Sequence, residues 1–345
     1  MGHCRNHAIR LWIALAVHAL LSLLYVSFAF AQSSAPGELD LVRSAGNNSA
    51  FVEVLRLRAP ISMVARDGAV GRNARKYEHA AHQREVIWLA MRAVIENDSR
   101  AMENVVKALE YGFSWQTQQG NFKNTRGASA VKAVGADAFF LQGYCRIQYL
   151  IMNSQFAEEY GARFATMNQK LDPAVDWLKR NRKELLRQDK NATNRLFFDA
   201  MALGLCGQII GDKDATALGA QFAERALANQ RADGTFNEHG GFDSSYQAVS
   251  VLNIAGFVQN MDDVPRSELM RSMAQAAAWL KTRIAEDGSV ITKGNERTGV
   301  GREGDKEVNY AEVMTALFFA GHMLGQPEYD ELGEKVANYI LDNAK

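Results

Sequence analysis

The sequence predicts an all-α fold arranged as an α/α toroid, an incomplete barrel of about five to six helical hairpins, and three observations carry that prediction. From about residue 74 onward apolar residues recur at three and four positions, and no period-two strand pattern interrupts them. The runs between turn signals are about 15–20 residues long, the length of helices and not of strands. A short turn also recurs. Gln116-Thr-Gln-Gln-Gly120-Asn-Phe122 and Gln230-Arg-Ala-Asp-Gly234-Thr-Phe236 share the pattern Q-x-x-x-G-x-F, and Ile284-Ala-Glu-Asp-Gly288-Ser-Val290 is a degenerate copy. The recurrence of roughly 50–60 residues is the size of one helical hairpin with its loops.

Taken in order, the chain opens with Arg5 and Arg10 ahead of an apolar stretch from Leu11 to Ala31, which ends in Ala29-Phe30-Ala31 before Gln32. This predicts a signal peptide over 1–31, cleaved after Ala31, and export to the periplasm or beyond. The length of the apolar run leaves an uncleaved anchor as the alternative. No later segment is apolar enough to span a bilayer, so no stable membrane insertion is expected once the signal is removed. Residues 32–72 read as an N-terminal linker or extension, polar and aperiodic from Gln32 to Ala50. The toroid domain is placed at 73–345.

Within that domain, outer helices are expected at 100–115, 173–188, 216–229 and 266–284. Inner helices are expected at 73–97 and in the segments opening GADAFFLQGY, TNRLFFDAMALGL, GFDSSYQAVSV and VNYAEVMTALF. Charged, mixed helices such as DPAVDWLKRNRKELLRQ suit a solvent face, whereas AMALGLCGQII must be buried on every side. Alternating the two types gives an inner and an outer ring; an open solenoid of helical pairs is the rival arrangement. The Q-x-x-x-G-x-F turn resembles the QW-type turns of α/α toroids, where glycine permits a tight turn and the aromatic packs the loop.

Composition narrows the function. The 345 residues carry 39 basic and 39 acidic side chains, and loss of the signal arginines leaves a charge of about −2. A nucleic-acid partner, which needs a basic field, is not expected. No Walker-type loop, dinucleotide fingerprint or DxDD cyclase pattern occurs. Of three cysteines, Cys4 leaves with the signal; Cys145 and Cys206, both in apolar helical stretches, form either a disulfide or two buried thiols. His79 and His82 have H-x-x-H spacing near Glu78 and Glu85, but two histidines lack the third ligand that zinc catalysis needs. No metal or cofactor is expected, and the two histidines read as rim polars that contact an anionic sugar.

In a toroid the inner helices start at one rim, so their first turns line a common cleft and present free N–H groups to anions. Aligning those helices puts Asp137, Asn194, Asp243 and Asn309 at equivalent positions, with helix capping as the plain alternative for each. The richest segment, 233–251, packs Glu238, His239, Asp243 and Tyr246 into nine positions, with Gly240 and Gly241 allowing the loop to bend. The plain alternative makes His239 a surface histidine and Tyr246 a core aromatic.

The segment EHGGFDSSYQAV resembles that of the toroidal polysaccharide lyases of the chondroitin AC and hyaluronate lyase group, in which a QHG-type loop precedes an SSYGAV-type helix. The resemblance covers about 20 residues together with the helical-repeat layout. It implies that His239 and Tyr246 are catalytic, with an amide from Asn194 in NATNRLFF and an arginine, Arg297 or Arg302, from the glycine-rich loop GNERTGVGREG. The His-to-Tyr interval is a little shorter here than in that family, and Asn194 lacks the family's tryptophan-rich surroundings. The substrate implied is an acidic, uronate-containing polysaccharide, cleaved by β-elimination.

The chemistry fits these residue types. A lyase removes the proton α to the uronate carboxylate and expels the glycosidic oxygen, so the carboxylate must be met by amide or cationic donors while charge builds on it. Tyr246 or neutral His239 can take the proton, and tyrosine can return one to the leaving oxygen. Trp115, Phe122 and Phe236 are candidates for stacking on sugar rings. Two rivals remain. A toroidal glycoside hydrolase would use two carboxylates among Asp137, Glu238, Asp243 and Glu312. A non-catalytic glycan-binding or assembly protein would keep the fold without the chemistry.

Overall fold

The computed structural model describes residues 37–125, 133–299 and 306–344, and among them the chain is all-helical, with fourteen α-helices and no strand. The predicted signal peptide lies outside the described residues. No helix among those described is long and apolar enough to cross a membrane.

The expected linker over 32–72 gives way at Glu38 to two packed helices, α1 (Glu38–Gly46) and α2 (Ser49–Arg58). Leu41, Val42 and Phe51 are wholly buried. The asparagines that read as linker are a turn and a cap: the Asn48 side chain accepts from the Phe51 amide at 3.1 Å. Glu38 looks like a surface residue but is buried, ion-paired with Arg146 and accepting from Asn260 Nδ2 at 2.8 Å. A polar letter that buys its burial through a distant partner carries no periodic signal in the local sequence.

Three short 3-10 segments follow, Ile61–Met63, Gly71–Ala74 and Ala80–Val86. Then come α3 (Ile87–Glu96), α4 (Ser99–Ser114), α5 (Val134–Met152) and α6 (Ala157–Asn168). The outer helix expected at 173–188 is two, α7 (Leu171–Arg180) and α8 (Arg182–Asp189). Asn181 breaks it: its side-chain amide donates to the Trp177 carbonyl at 2.9 Å, competing with the helical bond. The remaining helices are α9 (Thr193–Ile210), α10 (Lys213–Leu227), α11 (Ser244–Asn260), α12 (Arg266–Lys281), α13 (Tyr310–Leu324) and α14 (Pro327–Asn343).

Burial separates two classes. In α11 every residue but Tyr246 is buried, and α5, α9 and α13 bury about two-thirds or more of theirs. Helices α7, α10, α12 and α14 bury one face only. The buried helices are neighbours in succession: α3 with α5, α5 with α9, α9 with α11 and α11 with α13. Helix α13 then meets α2, which meets α3. Helix α1 touches α3, α5, α11 and α13. Its Glu38 pairs with Asn260, the last residue of α11, so α1 packs at the end of that helix remote from Tyr246.

The recurrent turn explains how neighbouring hairpins lock. Isolated antiparallel bridges join 116 with 122, 230 with 236 and 284 with 290, and a fourth copy joins Val64 with Val70. The fourth, Val64-Ala-Arg-Asp-Gly68-Ala-Val70, lacks the glutamine and the phenylalanine, which is why the motif did not find it. In each, the glycine has φ between 84° and 97° and presses on a carbonyl of the next outer helix. A Cβ at Gly120 would sit 1.9 Å from the Pro173 oxygen in α7. The glutamines shared by two copies serve the same contact: Gln116 Nε2 donates to Lys170 O at 2.8 Å and Gln230 Nε2 to Ser272 O at 2.9 Å. Gly120→Ala is therefore expected to cost about 3 kcal/mol, roughly 1 from the left-handed backbone and about 2 from displacing α7. Gly211→Ala, also at positive φ but with open space around it, should cost only about 1 kcal/mol in the same denaturant titration.

Cys145 of α5 and Cys206 of α9 form a disulfide across 61 residues, with Cα atoms 5.7 Å apart. Closing a loop of that length in the unfolded chain is worth about 4 kcal/mol. Reduction, or the double change to alanine, should lower the unfolding free energy by about that amount, read from urea titrations in which the midpoint falls and the slope rises as the unlinked unfolded chain expands.

Candidate functional site

The site is assembled where the loop before α13 docks on the start of α11. Asp243 caps α11, its Oδ1 accepting from the Ser245 and Tyr246 amides at 3.0 and 3.2 Å. Its Oδ2 accepts from the Arg297 and Thr298 amides at 3.0 and 2.8 Å. Asn295 adds a second clasp, Oδ1 accepting from the Ser244 amide at 3.0 Å. These bonds lay Arg297 over Tyr246, the guanidinium carbon 3.9 Å from the ring centroid. The exposed Lys306 places its ammonium 4.9 Å from the same ring.

Arg297 is also paired from below. Its Nη1 donates to Glu238 Oε2 at 3.1 Å, and both side chains are almost wholly buried. Glu238 Oε1 in turn accepts from the Asn194 amide at the start of α9, at 3.2 Å. Burial pushes the Glu238 carboxyl up to about 7, against the opposing influence of Arg297 and the Asn194 amide. The next residue, half-buried His239, has φ 55°, one of two non-glycine residues at positive φ among those described. Its amide donates to Asn191 O at 2.7 Å, which holds the bend. Asn194, Glu238, His239, Arg297 and Tyr246 thus belong to one contiguous cluster.

A narrow cleft with a cavity volume of about 40 Å³ runs between α3, α5, α9, α11 and α13. Arg84 stands in it, stacked on Phe139 and Phe198 at 4.7 and 5.4 Å. Glu312 lines the same cleft beside Glu85. Desolvation, then repulsion from Glu85, pushes the Glu312 carboxyl up to about 7, against Arg84, Arg58 and Lys306. Glu85 is paired with Arg58 at 2.8 Å. Lys306 acts on both Tyr246 and Glu312, so the cluster and the cleft share one side of the protein.

Several expected ligands are occupied elsewhere. The alignment of Asp137, Asn194, Asp243 and Asn309 does not survive: Asp243 and Asn309 are caps, Asn194 is the second residue of α9 and Asp137 the fourth of α5. Asp137 is buried, and desolvation holds its carboxyl well above the usual range, opposed by the Phe122 amide and the Trp177 indole. Glu238 and Asp243 are each 1% exposed and face Arg297 and the 295–298 loop, not solvent. Phe122 and Phe236 are core residues, edge-on to Phe140 and Phe197, because docking the turn on the next helix turns its aromatic inward. Trp115, half-buried, is stacked on Tyr77 with centroids 4.0 Å apart. His79 and His82 stack on each other at 4.3 Å. Arg302 lies outside the described residues.

Sequence reasoning missed Arg84, Phe139, Phe198 and Lys306. Arg84 sits in a 3-10 segment, where no helical period marks its face, and Lys306 lies in a loop. Phe139 and Phe198 read as ordinary members of apolar helices. No known protein family matches the chain, and no curated protein matches it.

Proposed function

We propose that this chain is an exported α/α-toroid polysaccharide lyase that cleaves a uronate-containing polysaccharide by β-elimination. The observation that carries the reading is Tyr246. It is the one residue of α11 not fully buried, it stands at the helix start and two cations lie against its ring, while its hydroxyl oxygen is itself covered, so substrate must open the surroundings of that oxygen to reach it. The ring-wise succession of buried helices supports the toroid, and the Cys145–Cys206 disulfide supports an oxidising compartment.

In this mechanism Lys306 and Arg84 attract the uronate carboxylate and meet the charge that grows on it as the C5 proton leaves. The Tyr246 oxygen takes that proton, the C–H electrons form the C4–C5 double bond, and the C4–O bond breaks. The leaving oxygen is protonated by Tyr246 or His239. Arg297, neutralised by buried Glu238, holds the tyrosine ring and stabilises its phenolate; it is a positioning residue here. The test is to follow ultraviolet absorbance of the unsaturated product and reducing ends together on uronate polymers.

One observation favours a second reading. Glu312, its carboxyl pushed up to about 7, lines one cleft with Glu85, which is paired with Arg58, and two carboxyl groups facing one cleft are what a glycoside hydrolase needs as acid and as base or nucleophile. Glu312→Gln separates the two. It should lower turnover less than about tenfold in a lyase, and by at least about 100-fold in a hydrolase that uses it as the acid.

A further inference from the structure

Glu78, His79 and His82 form a second cluster beside the cleft, and the lyase chemistry does not use it. One ligand atom from each lies within 4.8 Å of the others. His82 Nε2 is 3.2 Å from Glu78 Oε2, and the two imidazole rings are nearly parallel, 17° apart, with centroids at 4.3 Å. All three side chains are half-buried. Glu78 and His79 directly precede the 3-10 segment Ala80–Val86 and His82 lies in its first turn, so five consecutive residues, 78–82, bring the trio together.

The backbone beneath them is fixed by groups that are not ligands. Asn73 Oδ1 accepts from the Glu78 amide at 2.8 Å, and Asn73 Nδ2 donates to the His79 carbonyl at 2.9 Å. Thr125 donates its amide to the Glu78 carbonyl at 2.9 Å. Asn73 is itself buried and bonded to Gln83 at 3.1 Å. Such outer support is what a metal site needs if its ligands are to be held before the ion arrives.

We propose that Glu78, His79 and His82 bind a divalent transition-metal ion, zinc by the chemistry of the donors, with a fourth position left for water or a sugar oxygen. Two imidazole nitrogens and one carboxylate oxygen suit zinc, whereas calcium and magnesium require oxygen sets. Ligand atoms around a tetrahedral zinc stand about 3.4 Å apart, so the Glu78–His82 pair, at 3.2 Å, already has the spacing, and the His79 ring joins it by turning off its stack on His82. Among the described residues a competing cation is Arg72, whose Nη1 is 4.0 Å from Glu78 Oε2; it is exposed and can swing away. The same 3-10 segment carries Arg84 and Glu85 into the cleft, so the ion sits at the cleft's edge. The third ligand is Glu78, adjacent to His79 and held within 3.2 Å of His82 by the extended backbone before the 3-10 segment.

The experiment uses the purified protein without a histidine tag, stripped with chelator and titrated with zinc sulfate by calorimetry. One ion per chain is expected, with a Kd on the order of 1 µM or tighter. His79→Ala and His82→Ala should each weaken it at least about 100-fold, while His322→Ala, remote on α13, should leave it unchanged. Glu78→Gln keeps the local hydrogen-bonding shape and should still weaken binding about tenfold or more, which guards against a variant that fails to fold. Cobalt in place of zinc should give the strong visible absorption of a four-coordinate site. No binding by the wild type, or equal binding by the variants and the wild type, overturns the proposal.

Discussion

Tyr246→Phe is expected to lower turnover on a uronate polysaccharide by at least about 1,000-fold while leaving the fold intact. The substitution removes one oxygen, which in the proposed mechanism both takes the C5 proton and returns one to the leaving group, and each such role is worth roughly 100- to 10,000-fold. The ring stays, so the contacts with Arg297 at 3.9 Å and Lys306 at 4.9 Å are kept and the start of α11 is undisturbed. The signature is a fall in kcat with little change in KM, since the hydroxyl acts on the reacting atoms and not on the bulk of the polymer. His239→Ala, by contrast, should lose less, because tyrosine can serve as both base and acid. A Tyr246→Phe protein that unfolds at the wild-type urea midpoint and retains full activity would remove Tyr246 from the chemistry.

Arg297→Met is expected to destabilise the protein by about 3–5 kcal/mol at pH 8, and by clearly less at pH 5. Glu238 is 1% exposed, and Arg297 is the cation that opposes its burial. Its carboxyl is pushed from 4.5 up to about 7 even with that cation present. Because the folded value lies above the unfolded one, Glu238 contributes stability that is fully present below about pH 4.5 and is lost as pH rises through about 7. Without Arg297 the folded value rises further, so the loss continues above pH 7 and the penalty of the mutation grows there. At pH 5 the carboxyl is protonated in both proteins, so loss of the Arg297 charge no longer leaves a buried carboxylate unpaired. Glu238→Gln should instead flatten the decline between pH 4.5 and 7, since an amide has no proton to lose. Urea titrations of the three proteins at the two pH values check this; equal penalties for Arg297→Met at pH 5 and pH 8 would show that the pair is not what sets it.

What was legible in the sequence follows from what each feature owes to its neighbours in the chain. The helical repeat was visible because burial on all sides leaves long apolar runs, as in α9 and α11. The turn was visible where glutamine, glycine and phenylalanine all serve the docking of one hairpin on the next, and invisible at Val64–Val70, where only the glycine is kept. Helix α1 was hidden because Glu38 is buried through Arg146 and Asn260, 108 and 222 residues away. At the site, the proximity of Arg297 to Tyr246 was anticipated only through resemblance, and nothing local marks it. It depends on Asp243 and Asn295, whose side chains spend their oxygens on loop and helix amides. The same bonds explain why Asp243 is no substrate ligand: a carboxylate with its acceptor positions filled, 1% exposed, has nothing left to offer a sugar. Arg84 escaped notice because contact with Phe139 and Phe198 joins three separate helical segments.

The most direct test of the proposed function is to incubate the protein with a broad panel of uronate-containing polysaccharides and record ultraviolet absorbance and reducing ends on the same samples. β-Elimination predicts that both rise together, one double bond for each new reducing end, on at least one acidic polymer. Reducing ends without absorbance would contradict it in favour of hydrolysis through Glu312 and Glu85, and silence in both channels across the panel would contradict catalysis itself and leave a glycan-binding protein.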